Sequence, residues 1–141
     1  MVRYEAIPHL GIGPLRLGMS RAEARAHLSG NHKSFRKAVD STHETDAFDE
    51  CGFHVYYEDT PETVVFVEVF PVDGVSFILH GVDVFGNTAA NVLHSLKNTA
   101  EIVEEERGSS YLLAGADVSL WRSHVDESHF ESLGVGAEGY Y

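Results

Sequence analysis

The residues best suited to metal chemistry lie in one short stretch, His124-Val125-Asp126-Glu127-Ser128-His129, which places four potential ligands within six residues. Imidazole and carboxylate groups are ligands of zinc and other transition metals. If His124 ends one strand and His129 begins the next, both imidazoles can meet at a hairpin tip. A polar turn in an acidic protein explains the same residues without a metal. We favour the turn, keep His124 and His129 as secondary metal candidates, and expect no cofactor.

The sequence contains no set of residues typical of nucleophilic catalysis. Cys51 is the single cysteine, which excludes an intramolecular disulfide and a cysteine-rich zinc site. It can serve as a nucleophile beside a histidine, but a lone cysteine followed by Gly52 is more typical of a small buried apolar residue. Neither a Gly-x-Ser-x-Gly elbow nor a phosphate-binding loop with its lysine is present. We therefore predict no catalytic residues and a non-enzymatic protein.

Aromatic residues give the better indication of a binding site. Tyrosine and tryptophan are favoured as interface anchors because they bury a large area at little cost in entropy. Core filling is the alternative for Tyr57 and Trp121, whereas Tyr140 and Tyr141 form either a docked final strand or a frayed tail. The candidate binding residues lie in or beside predicted strands: Tyr56, Tyr57, Trp121, Arg122, Tyr140 and Tyr141.

Charge and composition narrow the classes of partner. A chain of 141 residues with 43% hydrophobic residues is long enough for one folded domain spanning residues 1–141. Its net charge of −12 repels phosphate backbones and anionic membranes, so we expect no nucleic acid and no membrane. The same charge favours a basic protein partner, although solubility alone explains it as well.

The sequence also carries no signal for a membrane or for export. No apolar run reaches the roughly 18 residues that a transmembrane helix needs. The first residues, Met-Val-Arg-Tyr-Glu-Ala-Ile-Pro-His, lack the apolar stretch of a signal peptide. We expect a cytoplasmic protein.

Two segments of the chain share a pattern at a constant offset of 68 residues, which indicates an internal repeat. The pattern is Gly13-x4-Gly18-x-Ser20-x-Ala22-x5-Leu28 and then Gly81-x4-Gly86-x-Thr88-x-Ala90-x5-Leu96. A later block, Cys51–Val55, recurs as Ala114–Val118. Two similar but independent strand–turn–helix segments are the alternative. The interpretation we favour divides the chain into halves of residues 1–74 and 75–141.

Each half predicts one short helix followed by a small antiparallel meander. The first helix begins at Ser20, where Glu23 completes a capping box, and the second begins at Thr88 with an apolar stripe. The segment 40–50 reads as an acidic loop. The predicted strands are 34–39, 53–58, 63–70, 75–79, 101–106, 110–114, 116–122 and 129–135. The expected fold class is α+β, an antiparallel sheet with two short helices packed on one face, built from two tandem helix-plus-meander units.

The first helix is preceded by Leu17-Gly18-Met19-Ser20. This chain resembles the family of beta-lactamase inhibitory protein and the related outer-membrane barrel-assembly lipoproteins, in which a Leu-Gly-Met-Thr sequence opens the helix of each αβ unit. The resemblance covers the helix starts of both halves. The resemblance implies a tandem αβ scaffold that often binds proteins on a sheet face. The function that it implies follows by analogy with that fold. Family members use paired loop cysteines or a lipid-bearing cysteine near the N-terminus, and Cys51 fits neither. The resemblance therefore does not imply beta-lactamase inhibition or barrel assembly.

The leading hypothesis is a non-enzymatic binding protein that acts through one face of its sheet, as an intracellular inhibitor or immunity-type protein. Its partner is another protein, and the acidic charge favours a basic one. The alternative is a small-molecule or metal-binding domain with a site in the sheet concavity that uses His54, His124 or His129. This alternative includes an enzyme. The chain is either a monomer or a homodimer joined through an exposed edge strand.

Overall fold

The computed structural model describes residues 2–28 and 30–141, and these residues form two sheets and two short helices. The elements follow in the order β1 (Val2–Ile7), β2 (Gly11–Ile12), β3 (Leu15–Arg16), α1 (Arg21–His27), β4 (Lys33–Arg36), β5 (Glu44–Phe48), β6 (Phe53–Glu58), β7 (Thr63–Val69), β8 (Val75–Leu79), β9 (Val82–Asp83), α2 (Ala89–Leu96), β10 (Ile102–Glu106), β11 (Ser110–Leu113), β12 (Val118–Trp121) and β13 (Ser132–Gly136). The α+β class predicted from the sequence is confirmed.

The larger sheet has eight strands in the order β10-β11-β12-β13-β7-β6-β5-β4, and every neighbouring pair is antiparallel. Strands β4 to β7 come from one continuous segment and β10 to β13 from a later one. The last strand of each segment lies at the centre of the sheet, where β7 pairs with β13. The two segments therefore contribute four strands each, in mirrored order.

The smaller sheet has five strands in the order β3-β2-β1-β8-β9, and its β1–β8 pair is parallel. The predicted single antiparallel sheet is therefore wrong, because β8 does not continue the hairpin that precedes it. It pairs instead with β1, and this brings Tyr4 and Phe77 together against Phe53 of the larger sheet. The rings of Tyr4 and Phe77 each lie 5.7 Å from that of Phe53. Burial of these rings holds the smaller sheet against the larger one.

Both helices begin where the sequence predicts. The Ser20 hydroxyl accepts from the amide of Glu23 at 3.1 Å, and the Glu23 carboxylate accepts from the amide of Ser20 at 3.2 Å. At α2 the Thr88 hydroxyl accepts from the amide of Asn91 at 3.3 Å. Helix α1 lies against β3 and β7, and α2 lies against β9. Neither described helix has the length and apolar character that crossing a membrane requires.

The two faces of the larger sheet differ sharply in burial. Its inner face carries apolar residues that belong to one core shared with both helices and the smaller sheet. These residues are Phe53, Val55, Val67, Val69, Val118, Leu120, Leu133 and Val135, all at 0% exposure. The alternate positions define the outer face, which bears aromatic, polar and acidic side chains. The period-2 alternation of strands thus produces one face that packs in the core and one face that points away from it.

The segment 40–50 is not the loop that its acidic composition predicts, because it contains strand β5. The reason is Asp46, whose side chain is fully buried on the inner face and neutralised by arginines of α1. The predicted strand at 34–39 is shorter and ends at Arg36. The hairpin of β6 and β7 and the four strands β10 to β13 are confirmed, with boundaries that shift by up to three residues.

Candidate protein-binding surface

Three of the predicted binding residues meet on the outer face around a fourth ring, Phe66. The ring of Tyr140 stacks on Phe66 at 4.6 Å with an interplanar angle of 8°. Tyr56 and Tyr141 pack edge-on against Phe66 at 5.3 and 6.0 Å. We call these four residues the aromatic platform. Phe66 was not among the predicted binding residues, although its position opposite Tyr56 in the predicted hairpin was a usable signal.

Two glycines of the central strand β13 make room for the platform. A Cβ atom on Gly134 would lie 2.3 Å from Cζ of Phe66, and one on Gly136 would lie 2.8 Å from Cβ of Tyr140. Both distances are shorter than the roughly 3.5 Å of an ordinary carbon contact. Because these positions carry no side chain, the rings of Phe66 and Tyr140 lie close to the strand backbone.

Residues 137–141 are docked onto the sheet by polar contacts. The carboxylate of Asp117 accepts from the amides of Gly139 and Tyr141 at 3.0 and 3.2 Å, and pairs with His9 at 2.9 Å. Burial raises the pKa of Asp117, but these hydrogen bonds outweigh it and hold the pKa below its usual range. The Tyr141 hydroxyl donates to Ser119 Oγ at 2.7 Å. Of the two alternatives for Tyr140 and Tyr141, the structure shows the docked one, in a turn rather than a strand.

Trp121 lies on the same face beside a groove. It is 41% exposed, and its cross-strand neighbours are the small residues Ser110 and Ser132. The groove next to it has a volume of about 550 Å³, and we call it the outer groove. Its lining includes Glu68, Phe70, Glu105, Glu106, Leu112, Trp121 and Tyr141. Tyr141 belongs to both the groove and the aromatic platform, so the two features form one continuous surface.

The remaining predicted binding residues, Arg122 and Tyr57, have structural partners. The Arg122 guanidinium donates to the carbonyls of Gly108 and Glu127 at 2.6 and 2.8 Å, and these hydrogen bonds stabilise the loop after β12. Tyr57 is only 3% exposed on the inner face and fills the core, the alternative that the sequence left open. Its hydroxyl donates to Asp46 at 2.9 Å.

Asp46 is the centre of a charge network that joins α1 to the sheet. Its carboxylate accepts from Arg21 and Arg25 at 2.8 Å each, and from Ser34 at 2.8 Å. Burial raises the pKa of Asp46, but these hydrogen bonds outweigh it and lower the pKa overall. Arg21 also donates to Glu62 and lowers the pKa of that carboxyl to about 2. The network consists of paired charges, and we assign it a role in stability.

The histidines do not assemble a metal centre in the part of the chain that is described. His124 pairs with its neighbour Asp126 at 3.2 Å, and His129 with Ser128 at 2.7 Å. His54 lies on the outer face, where its ring packs on Phe70 at 4.6 Å and its Nε2 contacts Asp49. Across residues 2–28 and 30–141, no group of three or more His, Cys, Asp or Glu side chains is placed to hold a metal ion.

The thiol of Cys51 is poorly placed for nucleophilic chemistry. It is half-buried, and burial raises its pKa, which disfavours the reactive thiolate. Its Sγ donates to the carbonyl of Phe48 at 3.5 Å. This agrees with the interpretation of Cys51 as a small apolar residue.

A comparison of the chain with protein-family profiles, with curated proteins and with solved structures finds no match. The outer face nevertheless offers packed aromatic rings and an exposed indole, and tyrosine and tryptophan are residue types enriched at protein interfaces.

Proposed function

We propose that this protein is a non-enzymatic binding protein that holds another protein against the outer face of its eight-stranded sheet, as an inhibitor or immunity-type protein. One observation carries the proposal: the aromatic platform and Trp121 share the face of the sheet that the core does not use. Trp121 and Tyr141 are 41% and 53% exposed on this face, and tryptophan and tyrosine are enriched in interface hot spots.

The platform reduces the entropic cost of binding. Its rings already contact one another, and Tyr56 and Tyr141 are further restrained by hydrogen bonds to Glu68 and Ser119 at 2.9 and 2.7 Å. Ordering a flexible side chain at an interface costs about 0.5–1.5 kcal/mol. Side chains that are ordered before the partner arrives avoid much of this cost, so the platform favours rigid recognition of a preformed surface.

The charge of the surface favours a basic partner. The chain has a net charge of −12, and three glutamates, Glu68, Glu105 and Glu106, line the outer groove. Complementary charge speeds the encounter of two proteins and suppresses association with partners of like charge. An acidic inhibitor of a basic protein fits this pattern.

We further propose that the fold consists of two tandem helix-plus-meander units, the plan of the family that the sequence resembles. The support is the mirrored strand order of the larger sheet, in which β4–β7 and β10–β13 meet at their last strands. Each four-strand set follows a helix whose first turn is capped by a hydroxyl, from Ser20 or Thr88. Co-expressed fragments 1–74 and 75–141 should then assemble into a folded complex. If the two fragments stay unfolded when they are expressed together, the two-unit plan is contradicted.

The proposed function is tested by capture from a lysate of the native cell with three forms of the immobilised protein. The wild type should retain a stoichiometric partner, and a Trp121→Ala/Tyr141→Ala double variant should lose it. The matched control is Leu10→Ala, which removes a side chain of 42% exposure outside the larger sheet and should retain the partner. Circular dichroism checks that all three are folded. Equal capture by all three forms, or capture by none, would refute the proposal.

A further inference from the structure

We propose that the outer groove receives an arginine side chain from a basic loop of the partner. This proposal rests on the proposed function, since it assigns the chemistry of what the outer face binds. The groove provides three features that suit a guanidinium: a partly exposed indole, carboxylates that form no salt bridge with the described residues, and a volume that accommodates the side chain.

The carboxylates reach the groove from two different strands. Glu68 lies on β7 near the middle of the sheet, and Glu105 and Glu106 lie on the edge strand β10. Trp121 on β12 lies between these strands in the sheet order. An arginine side chain that enters past Trp121 therefore has acidic groups on both sides. A neighbouring depression of about 470 Å³ shares Glu105, Leu112 and Tyr141 with the groove, which leaves room for the loop that carries the arginine.

The three glutamates keep their negative charge available. None of them takes part in a salt bridge with any residue between 2 and 28 or between 30 and 141. The lining that is described for the outer groove includes no lysine, arginine or histidine. Glu68 accepts a hydrogen bond from the Tyr56 hydroxyl at 2.9 Å. Burial and the charge of Glu68 raise the pKa of Tyr56, so the phenol stays neutral and forms no ion pair with Glu68.

Arginine fits this groove better than lysine does. Its guanidinium is planar, so it can stack on the indole of Trp121 while its five N–H donors point outward to carboxylates. Lysine presents a compact and strongly hydrated ammonium that has no planar face to stack on the indole. The apolar walls formed by Phe70 and Leu112 also suit the methylene stem of an inserted side chain.

The single tryptophan makes the test direct, because all indole fluorescence comes from Trp121. The probe is the capped peptide Gly-Arg-Gly-Arg-Gly, and its controls are the same peptide with citrulline, which is neutral and nearly isosteric, or with lysine in place of arginine. The arginine peptide should change the fluorescence of Trp121 saturably, and added salt should weaken the binding. The citrulline peptide should bind at least about tenfold more weakly, since hydrogen bonds between charged groups are worth more than neutral ones. The lysine peptide should also bind more weakly, because its ammonium has no planar face to stack on the indole.

A charge-matched pair of variants separates local recognition from net charge. The triple variant Glu68→Gln/Glu105→Gln/Glu106→Gln should lose at least about tenfold in affinity for the arginine peptide. The control neutralises three exposed carboxylates outside the groove, Asp40→Asn/Glu50→Gln/Asp73→Asn, and should bind like the wild type. Equal binding of all peptides, or equal loss in both triple variants, overturns the proposal. If the arginine peptide does not change the Trp121 fluorescence of the wild type while the outer face still captures the partner, only this proposal is overturned and the proposed function stays in place.

Discussion

The substitution Gly134→Ala tests whether the aromatic platform depends on the bare backbone of β13. The new Cβ would lie 2.3 Å from Cζ of Phe66 and 2.7 Å from Oγ of Ser119. A normal carbon contact is at least about 3.5 Å, so the ring must move by about 1.2 Å. Tyr140, stacked on the face of that ring at 4.6 Å, restricts its movement. Overpacking of this kind costs about 1–3 kcal/mol.

A small gain opposes that cost, because alanine restricts the unfolded chain and stabilises the protein by about 0.4–1 kcal/mol where its backbone conformation fits. The backbone of Gly134 lies outside the left-handed region, so alanine suffers no φ penalty. We expect a net loss of about 1–2 kcal/mol. With a denaturant slope of about 2 kcal/mol per molar urea, the unfolding midpoint should fall by about 0.5–1 M.

The assay is urea unfolding of a double-mutant cycle with Phe66→Leu, since leucine has no atom at the position of Cζ. In that background Gly134→Ala should cost less than about 0.5 kcal/mol, so the coupling between the two sites should be about 1 kcal/mol. The fluorescence of the platform tyrosines should change in the single variant. A Gly134→Ala protein as stable as the wild type, or one destabilised equally in both backgrounds, would refute the packing argument.

The remaining predictions concern the charge network of α1. Asp46→Asn should destabilise the protein by about 3 kcal/mol in urea unfolding, because it leaves two guanidiniums beside a neutral amide. The control Ser34→Ala should cost only about 1 kcal/mol. Similar losses of stability for the two variants would contradict a central role for the charge of Asp46. The pKa of Glu62 falls from 4.5 to about 2 on folding because of its hydrogen bond to Arg21, so its contribution to stability is present above about pH 4.5 and is lost as the pH falls towards 2. The difference in unfolding free energy between the wild type and Glu62→Gln should therefore shrink over that range, and a difference that grows with acidity would contradict the assignment.

Much of the secondary structure follows from local sequence signals. The cap at Ser20 with Glu23, the hydroxyl at Thr88 and the alternation in β6 and β7 each act over a few residues, so pattern alone identifies them. Strand β5 was missed because the polarity of Asp46 argues for a loop. The arginine partners of Asp46, Arg25 and Arg21, are 21 and 25 residues away in the chain, and no local sequence pattern predicts such a pairing.

The division into two sheets and the makeup of the site depend on long-range contacts. Val2 pairs with Val75 in the parallel β1–β8 ladder, and the sequence alone does not specify this pairing. Alternation along β6 places Tyr57 on the face opposite to Tyr56, but it does not tell which of the two faces is buried in the core. The role of Gly134 also depends on a long-range contact. A glycine in a strand can be assigned a packing role only when the ring that lies over it is known.

The central claim, that the outer face of the larger sheet holds a protein partner, is tested most directly by site-specific photo-crosslinking in the native cell. A benzophenone amino acid placed at Ser110, which lines the outer groove beside Trp121 and leaves Trp121 in place, should give one discrete higher-mass adduct on irradiation. The same amino acid at Leu10, an exposed residue outside that sheet, should give none. No adduct from position 110, or the same adduct from both positions, would contradict the claim.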